Sequence, residues 1–156
     1  DGAVYDPSGS GLEDIAARRV RFIGDPAQRI REDYLRILRF VRFYFRLSPI
    51  VPPDAATVQA IKSAAAQIVS LSGERRQTEF LKILALAEVE KAVNFLAEVG
   101  ALETTLGIES RSGDGVWNLA RLSALVTHEK GLPAASDALF RLAVLMPDTQ
   151  TADAVA

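Results

Sequence analysis

The chain has 156 residues, 49% of them hydrophobic and 24% charged, which suits one soluble domain or two small helical subdomains that share a core. A net charge of −2 argues against a dedicated polyanion binder, the absence of cysteine excludes disulfides and thiolate metal sites, and one histidine, His128, cannot form a zinc site by itself. No apolar run is as long as a membrane span and no signal peptide stands at the first residues, so we expect a cytoplasmic protein without a membrane partner.

The first 24 residues predict a short β remnant. Asp1-Gly2 favours a hairpin turn and precedes a β-prone run, which together form the second half of a hairpin whose first strand would lie before this chain. A turn rich in glycine and serine follows within residues 6–14. Residues 18–23 then alternate arginine with bulky side chains, as a short strand does, and Gly24 ends that strand.

Residues 26–47 predict one long helix. Asp25 is a good N-cap, and Pro26 suits the first helical position, where its missing amide hydrogen is no loss. Apolar side chains recur at helical spacing and predict a buried stripe made of Ile30, Tyr34, Ile37, Leu38, Val41 and Phe45.

Two acids and two arginines share the opposite face of this helix, namely Glu32, Asp33, Arg36 and Arg39. A guanidinium is a planar donor and a carboxylate can accept an exocyclic amine, so Asp33 and Arg36 together can imitate the pairing edge of a template base. A ladder of ordinary ion pairs on a solvated helix explains the same spacing and is the commoner outcome. Half of the 18 basic residues lie in the first 46 positions, and all of these are arginine, so we expect phosphate contacts early in the chain.

The rest of the chain predicts further amphipathic helices. Asp54 caps a helix whose apolar face extends to Val69, and Ser72 caps the next helix, which continues to about Ala85. Residues 102–111 are expected to form a connection. Three more helices are predicted over residues 88–99, 116–129 and 136–146. The expected fold is therefore all-α, apart from the β remnant.

The run from Arg29 to Phe43 carries a resemblance to a known family. Its sequence, Arg-Ile-Arg-Glu-Asp-Tyr-Leu-Arg-Ile-Leu-Arg-Phe-Val-Arg-Phe, resembles the Glu-Asp-x-x-Arg-x-x-Arg-x-x-Arg-Phe signature of class II tRNA nucleotidyltransferases (CCA-adding enzymes) and bacterial poly(A) polymerases. In that family, the Asp and Arg of the signature hydrogen-bond the base of the incoming CTP or ATP, and later arginines reach nucleotide phosphates. The resemblance implies that Glu32 orients the base-reading residues Asp33 and Arg36. The nucleotide-binding residues that it implies are Asp33, Arg36, Arg39 and Arg42.

Two other motifs are similar to elements of the same family. Residues 71–79, Leu-Ser-Gly-Glu-Arg-Arg-Gln-Thr-Glu, resemble its Leu-Ser-x-Glu-Arg-x-x-x-Glu element, which braces the nucleotide-recognising helix. The resemblance implies that Glu74, Arg75 and Glu79 support this helix through ion pairs, although a capped helix with surface charges accounts for the same residues. Residues 6–14 resemble the family's flexible connection between head and neck, with one serine inserted between its two glycines.

The resemblance implies three parts and a set of partners. Residues 1–24 would be a remnant of the head–neck connection, residues 25–100 a helical neck that recognises nucleotide and RNA, and residues 101–156 the start of a helical body. ATP and CTP would be the substrates and the 3′ end of a tRNA or another RNA the partner, with Mg²⁺ held in the family's N-terminal catalytic head. The Gly-Ser and Asp-x-Asp elements of that head are absent here, so we expect no catalytic residue and no metal site in this chain.

Two functions from different classes stay open on the sequence. The first is the nucleotide-selecting and tRNA-binding part of a template-independent RNA nucleotidyltransferase, which adds CCA, CC, A or a poly(A) tail. The second is a non-enzymatic helical module that binds RNA or protein through its arginine-rich helix. Nucleotide selectivity separates them, because a purely electrostatic surface loses RNA affinity uniformly when its arginines are removed.

Overall fold

The computed structural model describes residues 5–7, 9–47, 51–107, 117–129 and 137–146, and no strand occurs among them. The α-helices of the described residues are α1 (Gly11–Ala16), α2 (Pro26–Glu32), α3 (Leu35–Leu47), α4 (Ala55–Ala64), α5 (Gly73–Leu84), α6 (Val89–Glu98), α7 (Leu102–Leu106), α8 (Leu119–Glu129) and α9 (Ala138–Leu145). A 3₁₀ helix, Ala65–Ser70, directly follows α4. The predicted all-α class is therefore confirmed for this part of the chain.

Three helices begin where their capping residues predict. Asp25 and Asp54 each accept a hydrogen bond from the amide three residues further on, at 2.6 and 2.8 Å, and Ser72 does the same at 3.4 Å. Pro26 occupies the first position of α2. These side chains satisfy amides that have no partner inside the helix, which is why they fix the start of each helix.

The prediction of one helix over residues 26–47 is wrong, because the backbone breaks at Asp33. This residue is extended, with φ −158° and ψ 108°, and its Oδ1 accepts a hydrogen bond at 3.1 Å from the amide of Leu35, where α3 begins. A short carboxylate side chain can compete with the helix for backbone amides and so start a new helix. The acids and arginines predicted for one face therefore lie on two helices and the turn between them.

Helix α3 contributes five buried apolar side chains to the core, those of Leu35, Ile37, Leu38, Phe40 and Val41. Ile37, Leu38 and Val41 of the predicted stripe are fully buried, and α3 packs against α2, α5 and α6. Helix α2 also packs on α4, while α8 and α9 pack on each other and on α6 and α5 respectively. Removing apolar side chains from water supplies the main favourable free energy here, at about 25 cal/mol per Å².

The strand predicted for residues 18–23 is also wrong, since these residues form an irregular segment. Their alternation has another cause. Phe22 packs on the core, its ring stacked on Phe40 with 5.2 Å between centroids, whereas Arg21 points to the carboxylate of Asp14 at 2.7 Å. A strand also needs a partner to pair with, and the described residues offer none. The hairpin remnant predicted at Asp1-Gly2 lies outside the described residues.

Two local predictions in the later helices are corrected as well. The connection predicted at residues 102–111 begins with α7, where the hydroxyl of Thr105 donates to the carbonyl of Ala101. Val69, predicted on a buried face, is exposed because the chain tightens from α to 3₁₀ geometry at Ala65, which rotates later side chains off the stripe. None of the described helices is long and apolar enough to cross a membrane.

Candidate functional site

The residues predicted to read a base lie where α2 ends and α3 begins. Glu32 is the last residue of α2, Asp33 stands between the helices, and Arg36 lies in the first turn of α3. The side chain of Asp33 is 28% exposed and that of Arg36 is 29% exposed, so neither is sealed in the core. Glu32, Asp33 and Arg36 are called the junction cluster below.

Asp33 is held by an arginine from α5. The Nη2 of Arg75 donates to both carboxylate oxygens of Asp33, at 3.2 and 3.1 Å, and Oδ1 also accepts the capping bond from Leu35. One carboxylate thus begins α3 and ties the turn to α5. Each carboxylate oxygen has about two lone-pair positions, so Oδ2 keeps room for a further donor.

Arg36 is held by different partners. Its Nη1 donates to Oε2 of Glu32 and, at 2.6 Å, to the carbonyl of Arg29. Its Nε and Nη2 donate to none of the residues that the structure describes, so one edge of the guanidinium stays open. Asp33 and Arg36 are therefore positioned by separate partners and form no ion pair with each other.

Glu32 links the two helices through arginines on both. It accepts from the Nη1 of Arg29 as well as from Arg36. The hydrogen bond from Arg36 lowers the pKa of Glu32 below its ordinary value of 4.5, and the charges of both arginines add to this against an opposing effect of burial. Glu32 is therefore a carboxylate throughout the neutral range.

A second group of charges surrounds Glu79 of α5, whose side chain is only 5% exposed. Three cations approach its carboxylate: the Nε of Arg42 at 2.8 Å, the Nζ of Lys82 at 3.0 Å and the Nε of Arg39 at 4.0 Å. Burial raises the pKa of Glu79, but the hydrogen bonds and charges of Lys82 and Arg42 outweigh it and bring the pKa below 4.5. These four residues are called the Glu79 cluster below.

Four of the predicted residues meet in one groove between α3 and α5. Arg39, Glu74, Arg75 and Glu79 line a cavity of about 350 Å³ together with Lys82. Arg75 forms an ion pair with Asp33 at the junction, and Glu79 forms one with Arg42 of α3. The resemblance of residues 71–79, the brace motif, implies ion pairs of this kind. Glu74 is exposed and forms no ion pair with another described residue. What these residues do toward a nucleotide stays a prediction.

Arg42 is the most enclosed of the four residues predicted to bind nucleotide. Its side chain is 15% exposed, its Nε donates to Glu79, and its guanidinium lies 4.4 Å from the centre of the Phe43 ring. A cation over an aromatic face is stabilised by the ring electrons. The geometry thus gives Arg42 a place in the packing of α3 against α5, whereas Arg39 is half exposed.

Sequence reasoning missed two charged residues that the structure singles out. Lys82 belongs to the Glu79 cluster, and its spacing of three residues from Glu79 was the available signal. Arg141 forms a buried ion pair with Glu129 and also donates to the carbonyl of Leu86 at 3.0 Å. Its signal was a lone charge in the otherwise apolar α9, because a buried charge requires a partner.

The middle of the chain matches a known protein family. A family described as the probable RNA and SrmB-binding site of polymerase A matches residues 52–106. This segment contains α4, the 3₁₀ helix, α5, α6 and α7, so it includes the brace motif and one wall of the groove at α3.

Comparison with individual proteins extends the similarity to most of the chain. The chain is 36% identical over 130 residues to the mitochondrial CCA tRNA nucleotidyltransferase 1 of Danio rerio. This match covers 80% of this chain and 30% of the relative. It is 34% identical over 111 residues to the CCA-adding enzyme of Bacillus licheniformis, covering 71% of this chain and 27% of that enzyme. For the CCA-adding enzyme of Geobacillus stearothermophilus the identity is 39% over 99 residues, or 64% and 24% of the two chains. The chain thus spans less than a third of the length of these relatives.

Proposed function

Because the chain belongs to the family of tRNA nucleotidyltransferases and poly(A) polymerases, we propose that it selects the incoming nucleotide and binds RNA for a template-independent RNA nucleotidyltransferase. The proposed reaction adds CCA, or A, to RNA 3′ ends, with ATP and CTP as substrates and tRNA or another RNA as acceptor. The observation that carries the proposal is the junction cluster, where Asp33 and Arg36 are held by separate partners and each keeps an open edge.

The chemistry of the two side chains matches what cytosine and adenine have in common. Both bases present an exocyclic amine, which donates, beside a ring nitrogen, which accepts. The carboxylate of Asp33 can take the amine while the guanidinium of Arg36 donates to the ring nitrogen. Uracil and guanine present a carbonyl and an N–H at these positions. Their carbonyl would face the carboxylate of Asp33, which also accepts, and their N–H would face the guanidinium of Arg36, which also donates. A polar contact that is lost in this way costs about 1–3 kcal/mol.

The surrounding ion pairs supply the rigidity that this recognition needs. Arg75 fixes the carboxylate of Asp33, and Glu32 fixes the guanidinium of Arg36, both without using the open edges. A preorganised pair loses little side-chain entropy when a base binds, and so discriminates better than two mobile side chains. The proposed role of Glu32 and Arg75 is therefore to position the base-reading pair, and that of Glu79 is to position Arg39 and Arg42, which contact the nucleotide beyond its base. Glu74, which forms no ion pair with another described residue, receives no positioning role.

The described residues do not fit the metal that nucleotidyl transfer uses. Such transfer relies on Mg²⁺ held by neighbouring carboxylates. No group of three histidine, cysteine, aspartate or glutamate side chains that could hold a metal ion occurs within the described ranges. We assign no bond-making step to them and propose that Mg²⁺ and the catalytic groups belong to an N-terminal head of the same protein.

The cytoplasmic location stays a prediction. The relatives include an enzyme named as mitochondrial and enzymes of bacteria, so similarity favours no single compartment. Fractionation of cells that express the tagged full-length protein would test it, with recovery in the cytosolic fraction as the expected result.

Nucleotide incorporation by the full-length enzyme tests the proposed activity. Asp33→Ala and Arg36→Gln should each lower kcat/KM for ATP and CTP by about 10- to 100-fold, because each removes a hydrogen bond to a charged group. Arg31→Gln is the matched control, since Arg31 is an exposed arginine of α2 that forms no ion pair with a described residue. Rates that are unchanged in the two junction variants, or reduced equally in the control, would contradict the proposal.

A further inference from the structure

A second groove lies beside the Glu79 cluster, between the C-terminal half of α3 and the turn that joins α5 to α6. Its volume is about 610 Å³, and its charged lining consists of Arg42 and Arg46 from α3, Lys82 from α5 and Glu88 from the turn. The rest of its lining is alanine, leucine and phenylalanine. The groove therefore combines a cationic rim with an apolar surface.

The charges at this groove do not cancel. Glu88 is engaged by Lys91, and Glu79 offers one carboxylate to both Arg42 and Lys82. Arg46 is exposed and forms no ion pair with any residue in the described part of the chain. Excess positive charge on one wall of a cavity raises the local concentration of anions.

Two helix ends meet at the groove. At the C-terminal end of α5 the buried Arg141 donates to the carbonyls of Leu84 and Leu86. Helix α6 begins directly after Glu88, has Glu90 in its first turn, and no side chain among the described residues caps its N-terminal amides. The carbonyls that end α5 are thus satisfied, whereas the amides that begin α6 keep room for an acceptor.

We propose that this groove binds the sugar-phosphate backbone of the RNA partner, with Arg46 and Lys82 as its phosphate contacts. The inference rests on the proposed function, because it takes RNA as the ligand, and it adds a site separate from the junction cluster. Arg46 lies ten residues after Arg36 on α3, or about 15 Å at 1.5 Å per residue. Ten residues also turn the helix by about 280° beyond two full turns, at about 100° per residue, so Arg46 faces a different side of α3 from Arg36.

RNA affinity and its salt dependence test the site directly. The probe is a fluorescein-labelled RNA hairpin with a single-stranded 3′ end, titrated with the full-length protein between 50 and 200 mM NaCl, as a range of roughly this width separates ionic contacts well. The double variant Arg46→Gln/Lys82→Gln should bind about tenfold more weakly, and the slope of log K against log salt should shrink by about 1.5. The matched control, Arg31→Gln/Lys62→Gln, removes the same two residue types from exposed positions on α2 and α4.

The outcomes separate RNA from free nucleotide. Weaker hairpin binding with a reduced salt slope in the groove variant but not in the control supports the proposal. Equal losses in both variants would overturn it, and so would a loss of ATP affinity with unchanged hairpin affinity. A groove variant that binds the hairpin normally, beside an Asp33→Ala variant that no longer prefers ATP and CTP, would leave the proposed function intact and remove only this inference. Absence of hairpin binding by the unmutated protein would contradict both.

Discussion

The junction cluster and the buried pair formed by Arg141 and Glu129 are both built from arginine–carboxylate ion pairs, but they differ in exposure. At the junction, the side chains of Asp33 and Arg36 are more than a quarter exposed, and each keeps an open edge. In the buried pair the exposures are 6% and 5%, and all three nitrogens of the Arg141 guanidinium donate to Glu129 or to backbone carbonyls.

The difference shows that burial decides whether an arginine–carboxylate pair affects stability or can bind a ligand. A buried pair whose hydrogen bonds are all made has no free donor or acceptor for a ligand. Removing one of its two partners leaves a charge in the core without its counter-ion. An exposed pair adds little to stability and remains free to recognise something else. We therefore expect changes at Arg141 to alter stability, and changes at the junction to alter nucleotide selection.

The largest effect is expected from Arg141→Met. This variant leaves the carboxylate of Glu129 buried without its arginine, which should lower the free energy of unfolding by about 3–5 kcal/mol. The double variant Arg141→Met/Glu129→Leu should recover part of the loss, because no charge is then buried, although the carbonyls of Leu84 and Leu86 stay short of a donor. Urea unfolding followed by circular dichroism gives both values. A single variant within about 1 kcal/mol of the unmutated protein would break the comparison.

An intermediate effect is expected from Glu79→Gln, since Glu79 is buried but two of its partners, Arg39 and Lys82, are half exposed. The change takes the charged acceptor from Arg42 and should cost about 1–3 kcal/mol. The pKa of Glu79 is lowered in the folded protein, so its stabilising effect is complete above the ordinary value of 4.5 and is lost as the pH falls through the folded pKa.

The pH dependence provides the check on this second prediction. Below pH 4.5 the unmutated protein should lose stability more steeply than Glu79→Gln, because only the former protonates this carboxylate. Glu74→Gln is the control, as Glu74 is an exposed carboxylate on the same helix. Stability curves for Glu79→Gln and the unmutated protein that run parallel through the acid range would refute the assignment.

The smallest effect on stability is expected at the junction. Asp33→Asn and Arg36→Gln should each change the free energy of unfolding by less than about 1 kcal/mol, because both side chains are partly solvated and asparagine caps a helix about as well as aspartate. Thermal unfolding of each variant would measure this. A loss above about 2 kcal/mol would make the junction a structural element like the buried pair.

The sequence predicts most of the helices because their signals are local. Asp25, Asp54 and Ser72 cap helices through bonds to amides three residues away, and the apolar stripe of α3 follows from spacing alone. The break at Asp33 is not local in this sense. An aspartate can lie inside a helix or begin one, and here Arg75, from α5, holds the extended form.

The resemblance predicted most of the charged residues that meet at α2, α3 and α5, but neither Lys82 nor the pairing of these residues. It named Asp33, Arg36, Arg75 and Glu79, whose action toward a nucleotide stays a prediction. That Asp33 pairs with Arg75, far along the chain, depends on how α5 packs against α3, which no spacing reveals. The strand predicted at residues 18–23 failed for a related reason, since alternation shows which side chains are buried and not whether a partner strand exists.

The most direct test of the base-reading claim is the nucleotide preference of Asp33→Asn in the full-length enzyme. Asparagine keeps the shape and the cap but presents an amide that can donate to the carbonyl of uracil. The ratio of kcat/KM for CTP to that for UTP should therefore fall by about tenfold or more, with the free energy of unfolding nearly unchanged. An unchanged ratio, with all four nucleotides incorporated more slowly by the same factor, would contradict the account.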